Sequence, residues 1–188
     1  MPELRDESVE VEVVASDLVY QGRVWDVRSD TVRYGDGQIV RQYVDHPGAA
    51  AVVAVDDEER VVLIQQYRHP IRQRDWEIPA GLLDVAGEPP IDTARRELAE
   101  EVDLLAETVE PLLSIFTTPG GNDEVVHIFL ARGLSATPDA FARGDEEADI
   151  RIERVPIAEV VDAVLSGRMR NGILAAGVLA AAERVRRN

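Results

Sequence analysis

The chain has 188 residues, 45% of them hydrophobic, which is enough for one substantial core and one catalytic domain. Its 20 basic side chains, all arginine, face 36 acidic ones; the net charge of −16 disfavours nucleic acid and anionic membrane as partners and repels a pyrophosphate unless cations intervene. There is no cysteine, which excludes disulfides, thiolate nucleophiles and cysteine-bound zinc.

From the N-terminus, Met1 to Ser8 lacks the apolar stretch of a leader, and no apolar run reaches the roughly 20 residues of a membrane span. Residues 172–182 come closest, and they end in Arg184, Arg186 and Arg187. A soluble, cytoplasmic protein is expected. Residues 8–45 read as β-structure. Val9, Val11 and Val13 alternate with Glu10 and Glu12, the period of a half-buried strand, and Tyr34-Gly-Asp-Gly37 reads as a turn between two further runs. His46-Pro47-Gly48 marks a break, so the expected division is a β-rich unit over 1–47 and a larger domain over 48–188. A β-unit of roughly 45 residues should pack on something.

Ala49 to Val55 and Arg60 to Gln66 are continuous apolar runs around Asp56-Asp57-Glu58-Glu59, a pattern that suggests a buried hairpin. Pro89 and Pro90 suit a helix start, and 92–102 is rich in helix formers. Leu112 to Phe116, Val125 to Ala131 and Ile150 to Val155 read as strands, 133–149 as a polar loop, and Pro156 to Leu165 and Asn171 to Arg187 as closing helices. The fold class is α/β or α+β with mixed strands and helices.

The chemistry concentrates in Arg96-Glu97-Leu98-Ala99-Glu100-Glu101. Positions 97, 100 and 101 are spaced i, i+3, i+4 and share one helical face. At about 4 Å and an effective dielectric near 20, each like-charged pair costs about 4 kcal/mol before screening. A divalent cation would remove the conflict, and an all-oxygen set favours Mg²⁺ or Mn²⁺ over zinc. The competing reading is an ordinary charged surface helix. Upstream, Gly81 lets backbone approach a ligand, and Glu88 sits where it favours the positive end of the helix or pairs with Arg96. His46, His69 and His127 are dispersed and fit no metal-ligand spacing.

This segment resembles the Nudix box: Gly, five residues, Glu, seven residues, Arg-Glu, an aliphatic, any residue, Glu-Glu, any residue, Gly, an aliphatic. The gap from Glu88 to Arg96 is kept, and Arg96, Glu97, Leu98, Glu100, Glu101 and Leu104 match. Two positions depart. Six residues separate Gly81 from Glu88, and Asp103 stands where the box has Gly, at a helix end expected in the left-handed region. The resemblance implies a Nudix α/β/α sandwich with mixed sheets.

Outside the box the chain is similar to the ADP-ribose pyrophosphatase branch, of actinobacterial type. Gln65-Gln66-Tyr67-Arg68, Trp76 to Gly81 and the run Ala80 to Pro90 carry the likeness, as does Pro119, fifteen residues after Leu104. The resemblance implies an N-terminal unit exchanged between the subunits of a homodimer. It also implies Mg²⁺-dependent hydrolysis of a small nucleoside diphosphate, ADP-ribose, to AMP and ribose 5-phosphate. The metal ligands it implies are the Ala80 carbonyl, Glu97 and Glu101, with Glu100 beside them. The base or further ligand would be Glu146, with Glu147 as substitute, in the acidic stretch 145–149. Arg68 is the candidate diphosphate or ribose contact, Arg41 a contact across the dimer, and Glu124 a partner of the terminal ribose or a water. Trp25 either stacks on adenine or fills the interface. Two alternatives stand beside this reading: a pyrophosphatase for another nucleoside diphosphate sugar or dinucleotide, and a non-catalytic ADP-ribose sensor.

Overall fold

The computed structural model describes residues 3–141 and 149–187. By compactness the chain divides into two units, Met1–His46 with Thr118–Glu124, and Pro47–Thr117 with Val125–Asn188.

The first unit is an antiparallel three-stranded sheet, β1 (Val13–Tyr20), β2 (Asp26–Tyr34) and β3 (Gly37–Asp45), in that order. Tyr34 pairs with Gly37 across a two-residue turn in which Gly35 has φ 58°, a value that a glycine adopts without cost. Residues 118–124 join this unit: Val44 N donates to Gly121 O at 3.0 Å, and His46 N to Asp123 Oδ1 at 2.9 Å. The alternation at Val9 to Val13 does not make a strand. The ladder opposes Val13 to Val32, so β2 supplies backbone only as far as Arg33, which donates to Glu12 O at 2.9 Å. Beyond that the partner turns away, and Val9 and Val11 are exposed. Every residue of β1 is exposed too, so the sheet lacks a covered face on that strand.

The second unit holds two sheets and three helices. The expected hairpin is not there. β4 (Ala49–Ala54) and β5 (Arg60–Arg68) part after a single bridge, Val55 to Val61, and enter different sheets. β4 lies inside the order β7-β4-β9-β8, antiparallel to β7 (Ala80–Leu82) and parallel to β9 (Val125–Ala136), with β8 (Leu104–Phe116) antiparallel on the edge. β5 is central in the antiparallel order β10-β5-β6, between β10 (Arg151–Pro156) and β6 (Gln73–Glu77). The reason lies in the residues. Both runs are apolar on both faces, so each needs cover on both sides and a neighbour on each edge.

The two faces build two cores. Ala50, Val52 and Ala54, with Val62 and Ile64, pack against Ala94, Leu98 and Val102 of α1 (Pro90–Val102). Ala51, Val53 and Val55, with Val61 and Leu63, pack against α2 (Ile157–Leu165) and α3 (Gly172–Arg187). The result is an α/β/α sandwich with one mixed sheet. β8 and β9 both run further than expected. β8 begins at Leu104, because an edge strand tolerates Pro111 beside a bulge, and β9 continues to Ala136, so the polar stretch starts at 137. No described helix is long and apolar enough to cross a membrane.

The turn between β4 and β5 is organised by Asp56, buried at 7% exposure. Its Oδ1 accepts from the N–H groups of Glu58 and Arg60 at 3.0 and 2.9 Å, and its Oδ2 from Arg60 Nε at 2.9 Å and Arg154 at 3.3 Å. Burial alone would push this carboxyl up, but the bonds from Arg60, Arg154 and Glu58 together hold it below its ordinary value. A lowered carboxyl contributes stability above the ordinary carboxylate range and loses it as pH falls through the folded value. Asp56→Ala should therefore cost about 1–3 kcal/mol at neutral pH through unsatisfied buried donors. Urea melts should show the gap from wild type narrowing in acid; an equal gap at both pH values would contradict this account.

Candidate functional site

α1 starts on Pro89, with Pro90 pre-set for the first turn and Asp92 near its positive end. Its core stripe, Ala94, Leu98 and Val102, fixes its rotation, which turns Glu97 and Glu101 inward at 8% and 5% exposure and leaves Glu100 half-buried. The helix packs on β7, and the two buried carboxylates meet that strand. Ala80 N donates to Glu101 Oε2 at 3.0 Å. Glu97 lies against Gly81 so closely that a Cβ there would stand 2.0 Å from Oε1. Gly81 is thus required for lack of a side chain and not for an unusual φ. What approaches it is a carboxylate of the protein itself.

Arg96 gathers the remaining charge. Its guanidinium donates to Glu97 Oε1 at 2.5 Å, Glu100 Oε2 at 3.2 Å and Glu88 Oε2 at 3.1 Å. Glu88 also accepts from Thr93 Oγ1 at 2.8 Å. The bond to Arg96, then that to Thr93, holds the Glu88 carboxyl below its ordinary value, and the same bond raises Arg96 above its own. Thr93 was not singled out in the sequence; its place five residues after Glu88 and one turn before Glu97 is the signal.

The α1 helix ends as the box requires, with Asp103 left-handed at φ 55°, ψ 39° and its N–H on Ala99 O at 3.0 Å. Aspartate adds a bond that glycine would lack, Oδ1 accepting from Phe141 N at 2.8 Å, to the one its backbone carbonyl accepts from Thr137 N at 3.0 Å. The helix C-terminus is thereby tied to the end of β9.

The donors fit a hard divalent cation. Glu97, Glu100 and Glu101 would offer carboxylate oxygens and the Ala80 backbone a carbonyl, an all-oxygen donor set. Among the described residues no three carboxylates or imidazoles stand together as a ready cage. The side chain of Arg96 lies between Glu88, Glu97 and Glu100, holding them as a counter-charge.

Of the other expected residues, Arg68 ends β5 in the β10-β5-β6 sheet, bound through two bonds to Glu77. Trp25, Arg41 and Glu124 belong to the first unit. Trp25 is 44% exposed, Arg41 is exposed and donates to Val40 O, and Glu124 lies 3.6 Å from His46 Nδ1. Glu146 and Glu147 lie outside the described residues.

A family model of the NUDIX domain matches residues 45–174. The chain is 46% identical over 172 residues to an ADP-ribose pyrophosphatase of Mycobacterium tuberculosis, spanning 90% of this chain and 82% of that one. It is 40% identical over 139 residues to a methanol dehydrogenase activator of Bacillus methanolicus, spanning 73% of this chain and 75% of that one. The crystal structure of an ADP compounds hydrolase superposes at a TM-score of 0.79 with 21% identity, over 96% of this chain and 97% of that one, a likeness of fold.

Gly81→Ala tests the packing of Glu97. The added methyl has no room beside the carboxylate, so Mn²⁺ affinity, titrated by electron paramagnetic resonance, should fall by about tenfold or more. The circular dichroism spectrum should stay unchanged. Undiminished affinity would remove Glu97 from the ligand set.

Proposed function

The chain belongs to the Nudix family, as a hydrolase of that family, and we propose that it cleaves the pyrophosphate bond of ADP-ribose to give AMP and ribose 5-phosphate. The observation that carries this reading is the joint anchoring of Glu97 and Glu101 on β7, two buried carboxylates seated on adjacent backbone residues, Ala80 and Gly81. The ADP-ribose pyrophosphatase relative, at 46% identity, supports the substrate.

In this reading the Ala80 carbonyl, Glu97 and Glu101 hold a divalent cation, Mg²⁺ or Mn²⁺, with Glu100 beside them. Such an ion, when bound, supplies charge compensation on the phosphate oxygens and a more acidic water. The chain's own groups do the rest. The Ala80 N–H fixes Glu101, so the carboxylate meets its ligand without reorganising. Arg96 restrains Glu88, Glu97 and Glu100 against mutual repulsion. Arg68 binds the diphosphate. Glu146, named by the family resemblance, takes the proton of the attacking water. Trp25, Arg41 and Glu124 are assigned to the adenine, the far end of the substrate and the terminal ribose.

We also take 1–47 as a dimerisation unit exchanged between two copies. The exposed apolar side chains of this unit, among them Val13, Leu18, Val19 and Tyr20 of its sheet and Trp25 before β2, support this reading. Light scattering at micromolar concentration should give twice the 20.7 kDa chain mass; a monomeric mass would contradict the exchange.

The function is tested by offering the protein with Mg²⁺ to ADP-ribose, ADP-glucose, GDP-mannose, NADH and a nucleoside triphosphate, with products resolved by chromatography. AMP from ADP-ribose, abolished by EDTA and lowered roughly 100-fold or more in Glu101→Gln, is the expected result. Preference for another diphosphate would keep the family and change the substrate. Binding of ADP-ribose with no turnover would make the chain a sensor.

A further inference from the structure

We propose that Glu77 is a positioning residue that fixes the guanidinium of Arg68 for the substrate diphosphate. This rests on the assignment of Arg68 to that diphosphate. Glu77 ends β6 at 6% exposure, a carboxylate taken almost wholly out of water. Arg68 Nε donates to Glu77 Oε1 and its terminal nitrogen to Oε2, both at 2.7 Å, the two-pronged arrangement that fixes the plane of a guanidinium as well as its place. A third donor, Gln66 Nε2, also 6% exposed as a residue, reaches Glu77 Oε2 at 3.1 Å and keeps the carboxylate from turning.

The strand register explains why these three meet. Glu77 stands opposite Ile64, so Ile64, Gln66 and Arg68 point to the same face as Glu77, and the ion pair runs diagonally across the two strands. Ile64 packs into the core shared with Leu98 and Ala94 of α1, so this is the face turned toward the box helix. Chain geometry ties the pair to the cation ligands. Three residues beyond Glu77, past fully buried Ile78, comes Ala80, whose amide holds Glu101. One short rigid segment thus carries the anchor of Arg68 at one end and the anchor of Glu101 at the other.

A stability role does not account for this arrangement. Burying a carboxylate to pair with an arginine whose side chain is 44% exposed brings little net stabilisation, because desolvation offsets the attraction. What it does bring is an arginine with its orientation set in advance, which lowers the ordering cost of binding.

The test is steady-state kinetics on ADP-ribose for wild type, E77Q, R68Q and the double variant, with thermal melts alongside. E77Q keeps the shape and removes the charge. It should raise KM about tenfold with kcat nearly unchanged, and E77Q/R68Q should be no worse than R68Q alone. A purely structural Glu77 would lower Tm and leave KM where it was, and that result overturns the proposal. So do independent, multiplying effects of E77Q and R68Q. If E77Q does not fold, Gln66→Leu, which removes only the bond at 3.1 Å, should raise KM two- to threefold, and an unchanged KM there overturns it equally. R68Q with wild-type KM removes Arg68 from the diphosphate, and the proposal with it. Absence of wild-type turnover refutes the function reading instead, so the two failures are separable.

Discussion

Crowding of negative charge along one helix and the turn before it is the condition to which the rest of the second unit answers. Arg96 pairs with three of the carboxylates there, Glu88, Glu97 and Glu100, while Glu101 is held by the Ala80 amide. Two of the four are buried, where repulsion is screened least. The chain restrains each carboxylate separately. Thr93 and Arg96 hold Glu88, the Ala80 amide holds Glu101, and the bare backbone of Gly81 accommodates Glu97. Carboxylates fixed this close together offer the hard oxygen donors that a divalent cation would take.

Such restraint requires a rigid support, and the sandwich provides it. β4 and β5 leave their shared turn for different sheets, and each is buried on both faces. Asp56 secures the point where they part, with four bonds to one carboxylate. β7 adds to the edge of one sheet, and α1 lies over it with Ala94, Leu98 and Val102 in the core below. The helix cannot rotate without exposing that stripe, so the carboxylates hold their place for reasons of packing. At the far end of the helix, the Asp103 side chain adds a bond to Phe141, after β9, that a glycine could not make.

The features legible in the sequence were those with a local cause. The helix start at Pro89-Pro90, the i, i+3, i+4 carboxylates and the turn at Gly35-Asp36 each follow from a few adjacent residues, and the box spacing identified the chemistry. The features that escaped depend on distant partners. Val9 and Val11 alternate correctly but have no strand to bond, because β2 has run out. The apolar runs 49–55 and 60–66 looked like a hairpin because burial on both faces does not say which strand will be the neighbour. Gly81 looked like a place for a ligand, and only the fold shows Glu97 filling it. Glu77 was part of a recognised segment, yet its bond to Arg68 crosses strands nine residues apart in sequence.

The central claim is that the carboxylates of α1 are gathered for a cation. Anomalous diffraction from crystals soaked in Mn²⁺ tests it directly. The account predicts a peak within direct bonding distance, about 2.0–2.3 Å, of oxygens of both Glu97 and Glu101. Clear density for the two side chains with no peak between them, or a peak elsewhere in the chain alone, would contradict it.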